Sequence, residues 1–177
     1  MTSDVRLLTC PMHIIRLRGP WQLQAVARFA ARADGHYGVV RDDLPTSTRA
    51  TMPADWSESF GPGFLGRVRY VRTFQKPTGL DAGERVWLVV EAPRSKAIVR
   101  LADQSLGSVL VDGPAGRFDI SSLLADRNML EIMVEHPVPD EQSHSVDAAA
   151  ICLPGGLIGE VRLEIEGSVF GVHDSGG

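Results

Sequence analysis

Hydrophobic and polar residues alternate along most of the chain, which is the period of a half-buried β-strand. In the segment RVRYVRTFQK, Val68, Tyr70 and Phe74 fall on one face, and Arg67 and Arg69 fall on the other. The segment RVWLVVEA is almost continuously apolar, which predicts a strand covered on both faces. Four further strand candidates, separated by Pro, Gly, Asp or Ser, are KAIVRLA, GSVLVD, NMLEIMVEH and IGEVRLEIEG. This punctuation predicts an all-β protein, an antiparallel sandwich or barrel.

Two segments compete as helices. WQLQAVARFAARA contains good helix formers, but its apolar residues alternate from Trp21 to Phe29, so propensity and period disagree. DISSLLADRN predicts one short helical turn capped by Asp119 or Ser121, whose side-chain oxygens can accept a free backbone N–H. The alternation elsewhere predicts a core of Val68, Tyr70, Phe74, Val86, Leu88, Val90, Ile98, Phe118, Ile120, Leu130, Ile132, Val134, Val161, Leu163 and Ile165.

Length and charge limit the possible classes of protein. The 177 residues suit one β-sandwich domain over residues 1–177, with a frayed tail from about residue 172. Hydrophobic residues make up 44% of the chain and charged residues 23%, as in ordinary soluble proteins. A formal charge of -4 gives no electrostatic footprint for nucleic acid or for an anionic membrane, so neither is an expected partner.

The two cysteines and the first residues indicate the compartment. Cys10 and Cys152 fit neither a disulfide-rich scaffold nor a zinc motif, and we expect two separate thiols. The start MTSDVRLLTCPMHIIRLRGPW lacks a basic region followed by an apolar run, and no later segment approaches the roughly 20 apolar residues of a membrane span. We therefore expect a cytoplasmic protein.

Four segments together resemble one known domain. They are PADWSESFGPGFLGRVRYVRTFQKP, RVWLVVEAPRSKAIVRLADQSLG, GRFDISSLLADRNMLEIMVEH and PGGLIGEVRLEI, which span about residues 53–166. In content and order they are similar to the N-terminal sugar-binding domain of glycoside hydrolase family 2, the β-galactosidase and β-glucuronidase group. The resemblance implies a galactose-binding-domain-like jelly-roll β-sandwich. It also implies a domain that is not an enzyme, because the catalytic barrel of those hydrolases, with its two carboxylates, is a separate domain.

Two positions depart from the family pattern. Ala102 and Asp103 stand where family members usually place Asn-Gly, a pair suited to the positive backbone angles of a tight hairpin. Ile158 and Gly159 follow the Gly-Gly, where an aromatic residue and an arginine are common. We expect the first turn to differ from that of the family.

Aromatic residues in a Pro/Gly-rich loop are the first candidates for a sugar site. A sugar site needs an apolar platform beside a few polar groups. Trp56, Phe60 and Phe64 in MPADWSESFGPGFLG could form that platform, or could instead plug the end of the sandwich core, which is the more common role of such rings. Trp21 and Trp87 fall within strand patterns and are predicted to be core residues.

The loop EHPVPDEQSHSVDAAAICLPGG holds the best polar candidates. In the resembled family this region faces the catalytic pocket, which implies sugar contacts from Glu135, His136, Asp140 and Glu141, beside Trp56. The loop also holds His144 and Asp147, but the spacing matches neither an EF-hand nor a zinc motif, so a solvated acidic loop is favoured and no metal ligand is assigned. Related jelly rolls often carry structural calcium, which the resemblance cannot place in this chain.

No catalytic residue is predicted. No G-x-S-x-G occurs, and an ion pair between Arg72 and Asp119 is the expected role of those two side chains. A hydrolase built on the loop from Glu135 to Asp147 has little support, because glycosidases need two carboxylates held at a fixed separation. Two hypotheses remain: a non-catalytic carbohydrate-binding module, or a protein-interaction or scaffolding jelly roll that has lost its sugar site.

Overall fold

The computed structural model describes residues 12–34, 36–91, 93–94, 96–111, 113–137 and 152–167. Antiparallel strands dominate these residues, joined by one short helix, α1 (Ser57–Phe60), and a 3-10 turn at Ser121–Leu123. The strands are β1 (Met12–Arg16), β2 (Trp21–Ala31), β3 (Tyr37–Val40), β4 (Thr48–Ala50), β5 (Ala54–Asp55), β6 (Gly66–Gln75), β7 (Arg85–Val90), β8 (Lys96–Leu101), β9 (Gln104–Leu110), β10 (Gly116–Asp119), β11 (Arg127–His136), β12 (Gly156–Leu157) and β13 (Val161–Glu166). The predicted all-β sandwich is confirmed.

The strands form a large sheet, a small sheet and a two-stranded ribbon. The large sheet has the order β3-β2-β6-β11-β8-β9, with β4 also paired to β2. The small sheet has the order β1-β13-β7-β10, so the last strand lies between the first strand and β7. The ribbon pairs β5 with β12 beside the helix α1. Apolar side chains from the inner faces of the two sheets form one main core.

In the segment that begins at Trp21, the two-residue hydrophobic period predicts the observed structure and the helix propensity does not. The segment forms the eleven-residue strand β2, in which Trp21, Leu23 and Phe29 are buried while Gln22 and Gln24 are exposed. Burial of every second side chain, in the main core for Trp21 and Leu23 and in a second cluster with Leu65 for Phe29, therefore outweighs the helix propensity of its alanines. The predicted turn in DISSLLADRN forms at Ser121–Leu123, but its N-cap residue is Ile120 and not Asp119 or Ser121; the Asp119 carboxylate accepts from the backbone N–H and the hydroxyl of Ser121.

The predicted core is confirmed except at two positions. Ile98 is 41% exposed, because β8 turns Ala97, Val99 and Leu101 inward, and consecutive apolar residues in KAIVRL left its face ambiguous. Phe118 is half-buried on β10, a strand at the edge of the small sheet. Trp21 is a core residue as predicted.

Two further predictions are wrong. Trp87 is not a core residue, because its half-buried ring lies on the outer face of the small sheet under the Arg117 guanidinium. Arg72 and Asp119 do not form an ion pair: Arg72 Nη1 donates to the Pro20 carbonyl at 2.8 Å. Asp119 instead forms an ion pair with Arg85, whose Nη1 lies 4.0 Å away. The two predicted partners belong to different sheets, which period-two patterning alone does not assign.

The turn that lacks Asn-Gly is still a tight hairpin. Leu101 pairs directly with Gln104, which leaves two residues between β8 and β9. Ala102 has a φ of 49° there, a backbone angle that favours glycine or asparagine. A two-residue connection therefore forms here without Asn-Gly.

Among the described residues, no helix has the length and apolar character required to cross a membrane.

Candidate functional site

Trp56 closes one end of the sandwich from within. Its side chain is fully buried, and its indole Nε1–H donates to the Phe64 carbonyl at 3.0 Å. The Phe64 ring meets it edge-on with centroids 5.6 Å apart, and the His136 ring lies at 6.2 Å. Trp56 thus plugs the core, the alternative role given to it by the sequence. In this position the ring has no open face on which a sugar could stack.

The position of Trp56 explains why glycine occupies both Gly155 and Gly156 in PGGLIGEVRLEI. A Cβ on Gly155 would lie 2.0 Å from the Trp56 ring, a distance that no side chain tolerates. Gly156 has a φ of 142° and pairs with Asp55 in the ribbon of β5 and β12. The Trp56 backbone N–H also donates to the Gly155 carbonyl at 3.0 Å. Glycine is required here because the backbone approaches the ring closely.

Glu135 and His136 do not converge on one site. They are adjacent on β11, so their side chains point to opposite faces of the large sheet. His136 is 1% exposed and its Nε2 lies 2.8 Å from the Leu153 carbonyl, which ties β11 to the segment before β12. Glu135 lies on the outer face and pairs with Arg67 at 2.9 Å. Each side chain therefore has a structural partner.

The other polar residues predicted for the site, Asp140 and Glu141, lie outside the described residues, as do His144 and Asp147. Their predicted sugar contacts stay a prediction. The predicted frayed tail and Cys10 also lie outside the described residues.

Two surface clefts flank the helix α1 at the end closed by Trp56. The apolar cleft has a volume of about 280 Å³ and is lined by Ser57, Pro62, Gly63, Cys152, Leu153 and Pro154. The polar cleft has a volume of about 400 Å³ and is lined by Thr48, Arg49, Ala50, Thr51, Ala54, Asp55, Glu58 and Ser59. One wall of the polar cleft comes from β4, which pairs with β2, and the other comes from β5 and α1; β4 and α1 are in contact.

The polar cleft contains unpaired charges. No ion pair involves Arg49, Asp55 or Glu58 within the part of the chain that the structure describes. Asp55 is oriented locally, since its Oδ1 accepts from the Ser57 backbone N–H at 2.8 Å and from the Ser57 hydroxyl. By contrast, arginines on both sheets are matched with carboxylates. The cleft can therefore offer donors and acceptors to a polar ligand.

Sequence reasoning missed this cleft. Its walls come from STRAT and DWSES, two polar stretches of three- and two-residue strands that carry no clear hydrophobic period. The available signal was composition, because hydroxyl, carboxylate and guanidinium groups cluster within residues 48–59. That signal is weak without knowledge that the two stretches face each other.

The described ranges give no support for a metal site or for a tyrosine that ionises at neutral pH. They contain no group of three or more His, Cys, Asp and Glu side chains that could hold a metal ion. Burial raises the pKa of the Tyr70 phenol well above its ordinary value of 10.0, so this hydroxyl stays protonated at neutral pH.

Comparison with known proteins supports the fold. No protein-family model and no curated protein sequence matches the chain. Among solved structures, it is similar to an FMN-binding β-glucuronidase from Facaelibacterium prausnitzii L2-6, with 24% identity and a TM-score of 0.65 over 89% of this chain and 23% of that one. A Bifidobacterium dentium β-glucuronidase complexed with coumarin-3-O-glucuronide has 22% identity and a TM-score of 0.62 over 88% of this chain and 30% of that one.

A third solved structure belongs to a different enzyme. The rhamnosidase from Novosphingobium sp. PP1Y has 24% identity and a TM-score of 0.59 over 92% of this chain and 16% of that one. In all three cases the chain spans less than a third of the similar protein. The predicted resemblance to a β-sandwich domain of such glycoside hydrolases is thus confirmed for the fold.

Proposed function

We propose that this domain binds carbohydrate in the polar cleft and does not hydrolyse it. The observation that carries the proposal is a set of charges in that cleft with no ion pair among the described residues: Arg49 from β4, Asp55 from β5 and Glu58 from α1. The fold adds support, because the solved structures that share it are named as β-glucuronidases and a rhamnosidase, enzymes that act on sugars.

The chemistry of the lining suits a sugar. Carboxylates only accept hydrogen bonds and a guanidinium only donates them, whereas a hydroxyl group does both. A ring that carries several hydroxyls can therefore satisfy Arg49 and Asp55 at once, with Thr48 and Ser59 beside them. The volume of about 400 Å³ lies within the usual range for small-molecule sites, roughly 300 to 1,000 Å³.

The same lining argues against hydrolysis. Glycosidases place two carboxyl groups on opposite sides of the scissile bond. Asp55 and Glu58 both come from one short segment, and the facing wall at residues 48–51 contributes no carboxylate. A sugar held in this cleft would contact the lining but would not lie between an acid and a nucleophile.

Protein interaction is the second candidate function, and a specific surface favours it. Ile98, Leu110 and Met129 are 41%, 55% and 42% exposed on strands of the large sheet. Ile98 also lies directly opposite Met133 on the neighbouring strand, so aliphatic groups adjoin on this face. A protein partner that binds the wild type and fails to bind Ile98→Lys would select this function.

Titration of the ¹⁵N-labelled full chain with methyl glycosides, followed by NMR to millimolar concentrations, tests the sugar site. We expect shifts that saturate at the amides of Arg49, Asp55 and Glu58, and an affinity reduced about tenfold by Arg49→Ala or Asp55→Asn. Asp103→Asn is the matched control, because its turn joins β8 to β9, and the strands β2, β6 and β11 lie between β8 and β4 in the large sheet.

Two outcomes would contradict the proposal. Unchanged spectra across neutral, acidic and amino sugars would remove the binding claim. Turnover of nitrophenyl glycosides by the pure protein, abolished by Glu58→Gln, Glu135→Gln or Glu141→Gln, would show that the domain is an enzyme.

A further inference from the structure

We propose that the polar cleft selects uncharged sugars over uronic acids, an inference that rests on the proposed function. The reason lies in the balance of charge around the cleft. Its lining has one guanidinium, from Arg49, and two carboxylates, from Asp55 and Glu58. The formal charge of the lining is therefore one negative.

Among the residues that the structure describes, no salt bridge cancels any of these charges. The described part of the chain holds no ion pair to Arg49, Asp55 or Glu58, although arginine and glutamate pair repeatedly on both sheets. Asp55 Oδ1 accepts two hydrogen bonds from Ser57, which fixes the carboxylate without neutralising it. An incoming ligand therefore meets a lining whose net negative charge is screened by solvent but not neutralised by an ion pair within the described residues.

A neutral sugar matches this lining better than a uronate does. Its hydroxyls donate to the two carboxylates and accept from the guanidinium, so each lining group is satisfied and no new charge is buried. A uronate carboxylate adds a negative charge near two others, and Arg49 can offset only one of the three. Because Arg49 and Glu58 are solvent-exposed, the repulsion is screened, and we expect about a fivefold preference.

Matched sugar pairs test the selectivity. Methyl β-D-glucopyranoside and methyl β-D-glucopyranosiduronate differ only at C6, as do the corresponding galactose compounds. In NMR titrations of the full chain at low salt, each uronate should bind about fivefold more weakly than its neutral partner. The Glu58→Lys variant makes the formal charge of the cleft positive and should abolish or reverse the preference.

The control variant is Asp103→Lys, which makes the same change of charge in the turn between β8 and β9, separated from β4 by β11, β6 and β2 in the large sheet, and should leave the preference intact. A uronate that binds the wild type as tightly as its neutral partner overturns the inference, as does a preference that Glu58→Lys leaves unchanged. If both sugars bind and the uronate binds more tightly than its neutral partner, the selectivity fails and the proposed function stands. If neither shifts the amides of the cleft, both fail together.

Discussion

An apolar side chain closes the Trp56 end of the protein, whereas charged side chains cover the outer face of the small sheet. At the closed end, an aromatic ring fills the interior and its one polar atom is satisfied by the Phe64 carbonyl. On the outer face, charged side chains cover the sheet instead. Arg162 bridges Glu91, Glu160 and Glu164, and further pairs are made by Arg16 with Glu160 and by Arg117 with Glu164 and Glu166.

The comparison shows that low exposure does not identify the core. Val89 is 3% exposed and Glu164 8% exposed, although both lie on strands of the small sheet whose alternate residues face outward. Arg117 and Arg162 lie beside Val89 on the two neighbouring strands, and both pair with Glu164. Buried apolar area contributes most to stability, whereas partly exposed ion pairs contribute about 1 kcal/mol or less each. Substitutions in the two regions should therefore differ sharply in cost.

The largest expected difference is between the two tryptophans. Trp56→Ala should reduce the free energy of unfolding by about 3–5 kcal/mol, because it leaves a cavity in the core. Trp87→Ala should cost about 1–2 kcal/mol, because it removes a half-buried ring, its contact with Arg117 and one hydrogen bond to Glu166. Urea denaturation measures both. Equal costs would show that the comparison is wrong.

Gly155→Ala tests how tightly the plug fits. A methyl group 2.0 Å from the Trp56 ring must displace it, and we expect a loss of about 1–3 kcal/mol in the free energy of unfolding. Gly113→Ala is the matched control, since its nearest contact would be an ordinary 3.4 Å. The same urea titration compares the two variants. A Gly155→Ala variant as stable as Gly113→Ala would mean that the ring yields easily.

Arg162→Ala should have a smaller effect, about 1–2 kcal/mol in the free energy of unfolding. The substitution leaves Glu164 without one of its partners while that side chain is only 10% exposed. Arg100→Ala removes an exposed arginine of the large sheet with one weak contact to the Asp103 carbonyl at 3.4 Å, and it should change stability by less than about 0.5 kcal/mol. The melting temperatures of the two variants should therefore differ clearly.

The smallest expected effect is the acid dependence of the ion pairs. The hydrogen bond from Arg162 holds the pKa of Glu91 below its ordinary value of 4.5. Folding thus favours the ionised carboxylate, so this contribution is present above pH 4.5 and is lost as the pH falls through the lowered pKa. Glu91→Gln should flatten the fall in stability between about pH 5 and pH 3. Urea midpoints across that range measure it, and an unchanged slope would contradict the role of Glu91.

The fold could be predicted because alternation is strong where strands are long. The strands β6 and β11 have ten residues each, and every inward position predicted on them is buried. Ile98 was misplaced because three consecutive apolar residues fit either face equally well. Trp87 was misplaced because an outward ring under an arginine has the same sequence pattern as an inward one.

The site was harder to predict because its residues lie close together in space but share no sequence pattern. The resemblance directed attention to Glu135 and His136, yet adjacent residues on a strand point apart. Trp56 could be assigned only by choosing between surface platform and core plug. The polar cleft depends on the pairing of β4 with β2 and of β5 with β12, and strands this short leave no periodic signal.

The position of β13 in the small sheet sets an order for folding during synthesis. This strand supplies one neighbour of β7 and the only paired neighbour of β1 within the described sheet, although β1 lies about 150 residues earlier in the chain. On the ribosome, β1 and one edge of β7 therefore cannot form their native pairs until β13 has left the exit tunnel. The large sheet needs nothing beyond β11, so it can assemble first and present the surface on which the small sheet closes.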